Sequence, residues 1–292
     1  MNYKILISGA AGQLGQEFQA IQNEFPQLEF LFEDRAGLDI TDNEALKKYI
    51  GEKRPDLVFN CAAYTNVEEA ETNIKKNYLV NSAAPGQLAE ICKSFAVPLI
   101  HVSTDYVFDG NFDRPIKEDD FPRPINAYGR AKLEGEMHIE KIGGAYFIIR
   151  TSWLYSNFGH NFMKTMRKLA ASHGKLNVVN DQWGAPTYAR QFARDINRMI
   201  IRVLEKNNIP TGVYHYSQGG VTNWFEFAKK IVELWGLNVP VNGVTTESFQ
   251  TKAIRPKYSK LDPAKFESVV GINIPSWEQS LNDCFNDEKK LG

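Results

Sequence analysis

Tyr128 and Lys132 stand four residues apart in the run Tyr-Gly-Arg-Ala-Lys, a spacing that puts both on one face of a helix. A phenol in water titrates at about 10. A lysine cation beside it, joined by the positive ring of an oxidised nicotinamide, favours the phenolate and brings proton transfer towards working pH. A lone Tyr-x-x-x-Lys pair occurs on many solvated helix faces. Here it follows Ser103-Thr104-Asp105 by one loop-and-helix unit. Thr104 ends an apolar run, where open α/β sheets place their ligands, and its hydroxyl can hydrogen-bond both a substrate carbonyl and the phenol of Tyr128.

Upstream, Gly9, Gly12 and Gly15 form a Gly-x-x-Gly-x-x-Gly pattern between the apolar run Ile-Leu-Ile-Ser and an amphipathic stretch. Glycine tolerates positive φ and close backbone approach, and a helix N-terminus offers free N–H groups and a positive dipole to a pyrophosphate. The context, strand before and helix after, predicts a dinucleotide cradle that takes NADPH or NADH. Asp34 at the end of the second apolar run suits a ribose diol, and the adjacent Arg35 suits a 2′-phosphate, so the two cues oppose each other. Asp39-Ile40 falls where a loop can touch an adenine.

The elements that must position these groups are legible as a rhythm. Apolar runs at Lys4–Ser8, Leu28–Glu33, Asp56–Asn60, Leu99–Ser103 and Ala145–Thr151 read as strands buried on both faces. Leu14, Phe18, Ile21 and Phe25 recur at helical spacing after the first. Thr41-Asp42-Asn43-Glu44 and Ser276-Trp277-Glu278-Gln279 read as capping boxes. Beyond residue 155 the alternation loosens, with helices expected near 160–172, 188–206, 223–235 and 276–289. A short strand is expected at Gly212–Ser217.

Composition excludes more than it proposes. The 292 residues are 43% hydrophobic and 24% charged, with a net charge of −1. Neither nucleic acid nor an anionic membrane is called for. Cys61, Cys92 and Cys284 are odd in number and far apart, which suggests inert thiols in a reducing compartment. No apolar run approaches a membrane span and the N-terminus lacks a signal-peptide h-region, so a cytoplasmic protein is expected. His101, His160 and His215 show neither metal spacing nor an evident partner and read as structural.

The runs NCAAYTNVEEAE (60–71), STDYVFDG (103–110), YGRAK (128–132), RTSWLY (150–155) and DQWGAPT (181–187) resemble the dTDP-4-dehydrorhamnose reductases, extended short-chain dehydrogenase/reductases. The likeness runs through nearly the whole chain, including the Arg255-Pro256 turn. It implies a Rossmann-type, doubly wound parallel sheet over residues 1–155, rejoined by the helix near 188–206. Residues 156–292 are implied to form mainly a smaller α/β substrate lobe. It implies reduction of the C4 ketone of a dTDP-linked 4-keto-6-deoxy sugar by NADPH or NADH, with Tyr128 as proton donor, Lys132 on the nicotinamide ribose and Thr104 orienting the carbonyl. Gly9, Gly12, Gln13, Leu14, Gly15, Asp34, Arg35, Asp39, Ile40, Ala62, Ala63, Tyr64 and Thr65, with Tyr128 and Lys132, would hold the cofactor. Val67, Glu68, Thr104, Asp105 and Trp153 would contact the sugar nucleotide.

One departure concerns assembly. Some members are dimers bridged by Mg²⁺ through glutamates. The first such position falls on Glu17, but the one near GAPT falls on Arg190, whose cation opposes a metal. No metal is expected, and the chain reads as a monomer or homodimer. Two other functions share the pattern. A nucleotide-sugar dehydratase needs an Asp-Glu pair after the threonine, where this chain has Asp105-Tyr106, while an epimerase is not excluded. The NADP-binding regulatory subunit of a synthetase keeps the same segments without turnover.

Overall fold

Strands buried on both faces and helices with one apolar stripe can satisfy each other only in layers. A computed structural model describes residues 2–205, 209–249 and 251–291. Six strands form one parallel sheet: β1 (Tyr3–Ser8), β2 (Leu28–Glu33), β3 (Leu57–Asn60), β4 (Leu99–Thr104), β5 (Tyr146–Thr151) and, much later in the chain, residues Gly212–Tyr216. Counted in chain order that last strand is β10, after the short strands β6 (Leu154–Tyr155), β7 (Leu176–Val179), β8 (Trp183–Gly184) and β9 (Thr187–Tyr188). The sheet order is β10-β5-β4-β3-β1-β2, so the strand order reverses between β1 and β3, the place where open sheets bind their ligands. The five early strands lie where their apolar runs predict them.

Successive strand residues face opposite layers. Ile5, Ile7, Phe59, Ile100 and Ile149 pack with the helices α1 (Gln13–Ile21) and α8 (Ala189–Leu204), while Leu6, Val58, Leu99 and Ile148 pack on the other face. That second face carries α2 (Asn43–Lys53), α5 (Ala84–Ser94) and α6 (Ala127–Ile142). Between β3 and α5 the chain makes two short helices, α3 (Val67–Ala70) and α4 (Ile74–Tyr78), and a π turn at Leu79–Ala83. A separate core gathers Tyr155, Met163, Tyr188, Phe227 and Leu281 beneath α7 (Phe162–Ser172), α9 (Trp224–Leu234) and the C-terminal α11 (Trp277–Leu291). A seven-residue helix α10 (Ala264–Val270) packs against β10 and α8.

Three readings of the sequence change. The strand at Gly212 is not a piece of the later lobe: β10 pairs in parallel with β5, Val213 opposite Ile148, and brings Tyr214 and Tyr216 into the main core. The box at Thr41 does not cap α2. Thr41 bonds Asp39 through both its N–H and its hydroxyl, and Asp42 takes the N-cap, accepting from the Ala45 N–H at 3.0 Å. The helix expected at 188–206 is seen to Leu204, and Lys206 lies outside the described residues. At Ser276 the expected cap is present, its hydroxyl accepting from the Gln279 N–H at 3.3 Å.

Candidate active site

The cradle is built by three glycines with different tasks. Gly9 closes β1 at φ +78°, and a Cβ there would lie 2.7 Å from Ala62 in the loop after β3. A Cβ on Gly15 would strike Ala10 at 2.5 Å, so this glycine lets α1 press onto its own entry loop. Gly12 is the N-cap of α1 and carries no side-chain cap. The first-turn N–H groups of Gln13, Leu14 and Gly15 have no intrahelical acceptor. This arrangement fits a dinucleotide pyrophosphate.

Around the cradle, Asp34 spends Oδ1 on the N–H groups of Ala36 and Gly37, at 2.9 and 3.0 Å. Arg35 is exposed and paired with Asp39 at 3.0 Å, while Ile40 is buried. The loop Ala62-Ala63-Tyr64-Thr65 is pinned by Asn81 of the π turn, which accepts from the Tyr64 N–H and donates to the Tyr64 carbonyl. Sequence reading missed Asn81. It lies in a stretch whose only signal is small residues before Pro85.

Thr104 ends β4, and Asn126 caps α6 by accepting from the Gly129 N–H at 2.8 Å, which sets Tyr128 in the first turn. A Cβ at Gly129 would lie 2.1 Å from the Tyr106 carbonyl oxygen, so the middle of the Tyr-x-x-x-Lys run sits directly against the turn after Thr104. Tyr128 is half-buried, and its ring meets Tyr106 edge-on at 6.0 Å. Burial pushes its phenol up to about 12, while the Thr104 hydroxyl pulls it back and Asp105 adds to the rise. Asp105 is buried with no well-formed hydrogen bond to Oδ2, and burial pushes its carboxyl up to about 7.

Lys132 leaves the same helix α6 as Tyr128. Its Nζ turns inward, 2.6 Å from the Val102 carbonyl and 3.1 Å from His101 Nε2. Burial lowers it to about 8, against the pull of Glu136 one turn further along α6. His101 thus has partners after all, since its Nδ1 faces Asn60 Nδ2 at 3.0 Å. His215 also has partners, Arg150 at 3.4 Å and the Ile116 carbonyl at 2.9 Å, and His160 meets the Thr165 hydroxyl at 3.4 Å. Behind Lys132, Glu136 and Arg150 form a buried pair at 2.7 Å that Ser103 joins.

Of the residues expected at the sugar nucleotide, Val67 opens α3 and Glu68 is tied to the C-terminal segment, to Arg255 at 2.7 Å and the Lys252 N–H at 2.8 Å. Trp153 holds φ +49° and stacks on Trp224 at 3.7 Å, so one face of its indole is occupied. Gly184 lies against its benzo ring, where a Cβ would come within 2.9 Å. Glu17 and Arg190, the two positions of the assembly departure, pair with each other at 2.7 Å. Among the described residues no group of three or more His, Cys, Asp or Glu is placed to hold a metal ion. No described helix is long and apolar enough to cross a membrane.

A parallel sheet with a glycine cradle at its switch point, and a Thr/Tyr/Lys group two strands away, defines a nucleotide-dependent α/β protein of Rossmann type. The chain belongs to the RmlD substrate binding domain family, whose model matches residues 3–290. It is 35% identical over 290 residues to a dTDP-4-dehydrorhamnose reductase of Aggregatibacter actinomycetemcomitans, covering 96% of this chain and 97% of that one. Its fold is similar to the crystal structure of a dTDP-4-dehydrorhamnose reductase from Clostridium acetobutylicum, with a TM-score of 0.91 and 40% identity, covering 98% and 99% of the two chains. The reductase of Bacillus anthracis in complex with NADP is equally similar in fold, with a TM-score of 0.91, 37% identity and coverage of 98% and 100%.

Proposed function

We propose that this chain reduces the C4 ketone of dTDP-4-dehydrorhamnose, using NADPH or NADH, to give dTDP-L-rhamnose. The observation that carries the reading is the placement of Tyr128: a half-buried phenol in the first turn of α6, pressed against the turn that follows Thr104, with burial raising it to about 12. Ketone reduction ends in an alkoxide that needs a proton, and a group that keeps its proton at neutral pH supplies one as the oxyanion forms. The reduced nicotinamide supplies the hydride when bound.

The chain's own residues do the rest. The α1 N–H groups of Gln13 and Leu14, behind Gly9, Gly12 and Gly15, hold the pyrophosphate, and Asp34, Arg35, Asp39 and Ile40 hold the adenosine end. Ala62, Ala63, Tyr64 and Thr65 line the nicotinamide side. Thr104 orients the carbonyl oxygen towards Tyr128, and Lys132 turns outward to a ribose hydroxyl. Val67, Glu68, Asp105 and Trp153 receive the sugar nucleotide. Residues 1–155 with α8 and β10 form the cofactor part, and most of 156–292 forms the substrate part. The chain works in the cytoplasm as a monomer or homodimer.

The test follows loss of reduced-nicotinamide absorbance while the keto-sugar is generated in place from dTDP-glucose by a dehydratase and an epimerase. Consumption that needs both coupling enzymes is the expected result, and the two nucleotides are ranked in the same assay. Cofactor binding without consumption would overturn the reading in favour of a non-catalytic subunit or an epimerase.

A further inference from the structure

Ser8, Asn60 and His101 lie in one register row across three neighbouring strands, Ser8 opposite Asn60 and Asn60 opposite His101. All three are buried and belong to the face that α6 covers, where Lys132 completes the row. The direction of each hydrogen bond follows from groups that can only donate. The backbone N–H of Ala62 points at Asn60 from 3.1 Å, so the atom it meets is the carbonyl Oδ1, and the Ser8 hydroxyl donates to the same oxygen at 2.7 Å. The amide nitrogen of Asn60 therefore faces His101 Nδ1 and donates to it at 3.0 Å. A neutral ring that accepts at Nδ1 carries its proton on Nε2. That proton points at Lys132 Nζ, 3.1 Å away. An ammonium has no lone pair to receive it, whereas an amine has one and still donates to the Val102 carbonyl at 2.6 Å.

We propose that His101 is a positioning residue for Lys132: Asn60 locks its ring in the Nε2–H form, and the ring holds Lys132 inward as an uncharged amine. Lys132 then takes one proton from solvent as it leaves His101 and turns outward to a ligand, and no other bond changes. The proposal deepens the reading of Lys132 as a cofactor contact and rests on it. His101 and Lys132 are each 1% exposed, so water does not relieve a donor-to-donor contact between them. Burial keeps the His101 ring neutral and likewise lowers Lys132. Among the described residues, Glu136 on α6 is the other charged group acting on Lys132, and Arg150 of β5 is paired to it. Asp105, on the turn after β4, acts on Tyr128 rather than on Lys132.

The row also explains why polar residues interrupt buried strands at these three places. It ties the end of β1, next to Gly9, and the loop that begins at Cys61 to the lysine on α6. The cradle and the catalytic helix are thereby connected through the sheet.

Nitrogen-labelled histidine and lysine in the full chain test this without reference to turnover, so a failure here is distinct from a failure of the reductase reading. The His101 ring shifts should be those of the neutral Nε2–H form across the neutral range. The Lys132 titration should rise by about one unit, tenfold in proton affinity, in His101→Leu. His101→Gln, whose amide can still donate to Nζ, should restore the parent midpoint. A ring protonated on Nδ1, or a Lys132 midpoint unmoved in His101→Leu, would overturn the proposal. If the leucine variant does not fold, the ring shifts of the parent chain decide alone.

Discussion

The site has an inner end and an outer end, and they are finished to different degrees. At the inner end Ser8, Asn60, His101 and Lys132 form an unbroken chain of partners, and Ser103, Glu136 and Arg150 form another behind it. At the outer end Asp105 Oδ2 and the Thr151 hydroxyl are buried without a well-formed hydrogen bond, and Trp153 holds a positive φ. Thr104 and Thr151 are register neighbours on β4 and β5, so these groups sit together at the carboxyl edge of the sheet. Buried polar atoms without partners and non-glycine residues in the left-handed region each carry a cost of about 1–3 kcal/mol. Folding alone completes the inner end.

The comparison can be broken at either end. The largest effect is expected at the inner one. Glu136→Gln leaves Arg150 charged, 4% exposed and short of its partner, which should lower unfolding stability by about 3–5 kcal/mol in denaturant titration. Stability close to the parent would show that the inner network is not the tight element described. A smaller and pH-dependent effect of the opposite sign belongs to the outer end. The Asp105 carboxyl is raised from 3.8 to about 7, so its contribution to stability is full below the ordinary value and is lost as pH rises through about 7. Asp105→Asn lacks that slope. Its stability relative to the parent should improve from about pH 5 to about pH 8, by a few kcal/mol at most. A constant difference across that range would place the Asp105 charge elsewhere.

The same division decides what was legible beforehand. The Gly9, Gly12 and Gly15 spacing, the Tyr128/Lys132 pair and the buried strands are local patterns, and each appears where its pattern put it. The Ser8–Asn60–His101 row is not local. Its members lie 52 and 41 positions apart, and only the pairing of β1 with β3 and of β3 with β4 aligns them. Each one alone reads as an ordinary polar residue at the end of, or within, an apolar run. The placement of β10 fails for the same reason, because edge pairing with β5 is decided by the sheet and not by residues near Gly212. The capping error at Thr41 is smaller in scale: two adjacent residues both suit an N-cap, and Asp39 takes the hydroxyl of one of them. The inward turn of Lys132 was hidden because helical spacing fixes which face a side chain leaves from, not which of two acceptors it reaches.

The most direct test of the central claim is Tyr128→Phe, assayed for turnover of the keto-sugar and, separately, for NADPH binding. Tyr128, the proposed proton donor, lies on α6, apart from the α1 cradle. The turnover number should fall by about a hundredfold to ten-thousandfold with nucleotide affinity nearly unchanged. A turnover number within about threefold of the parent, with binding intact, would contradict the assignment of Tyr128 as the proton donor.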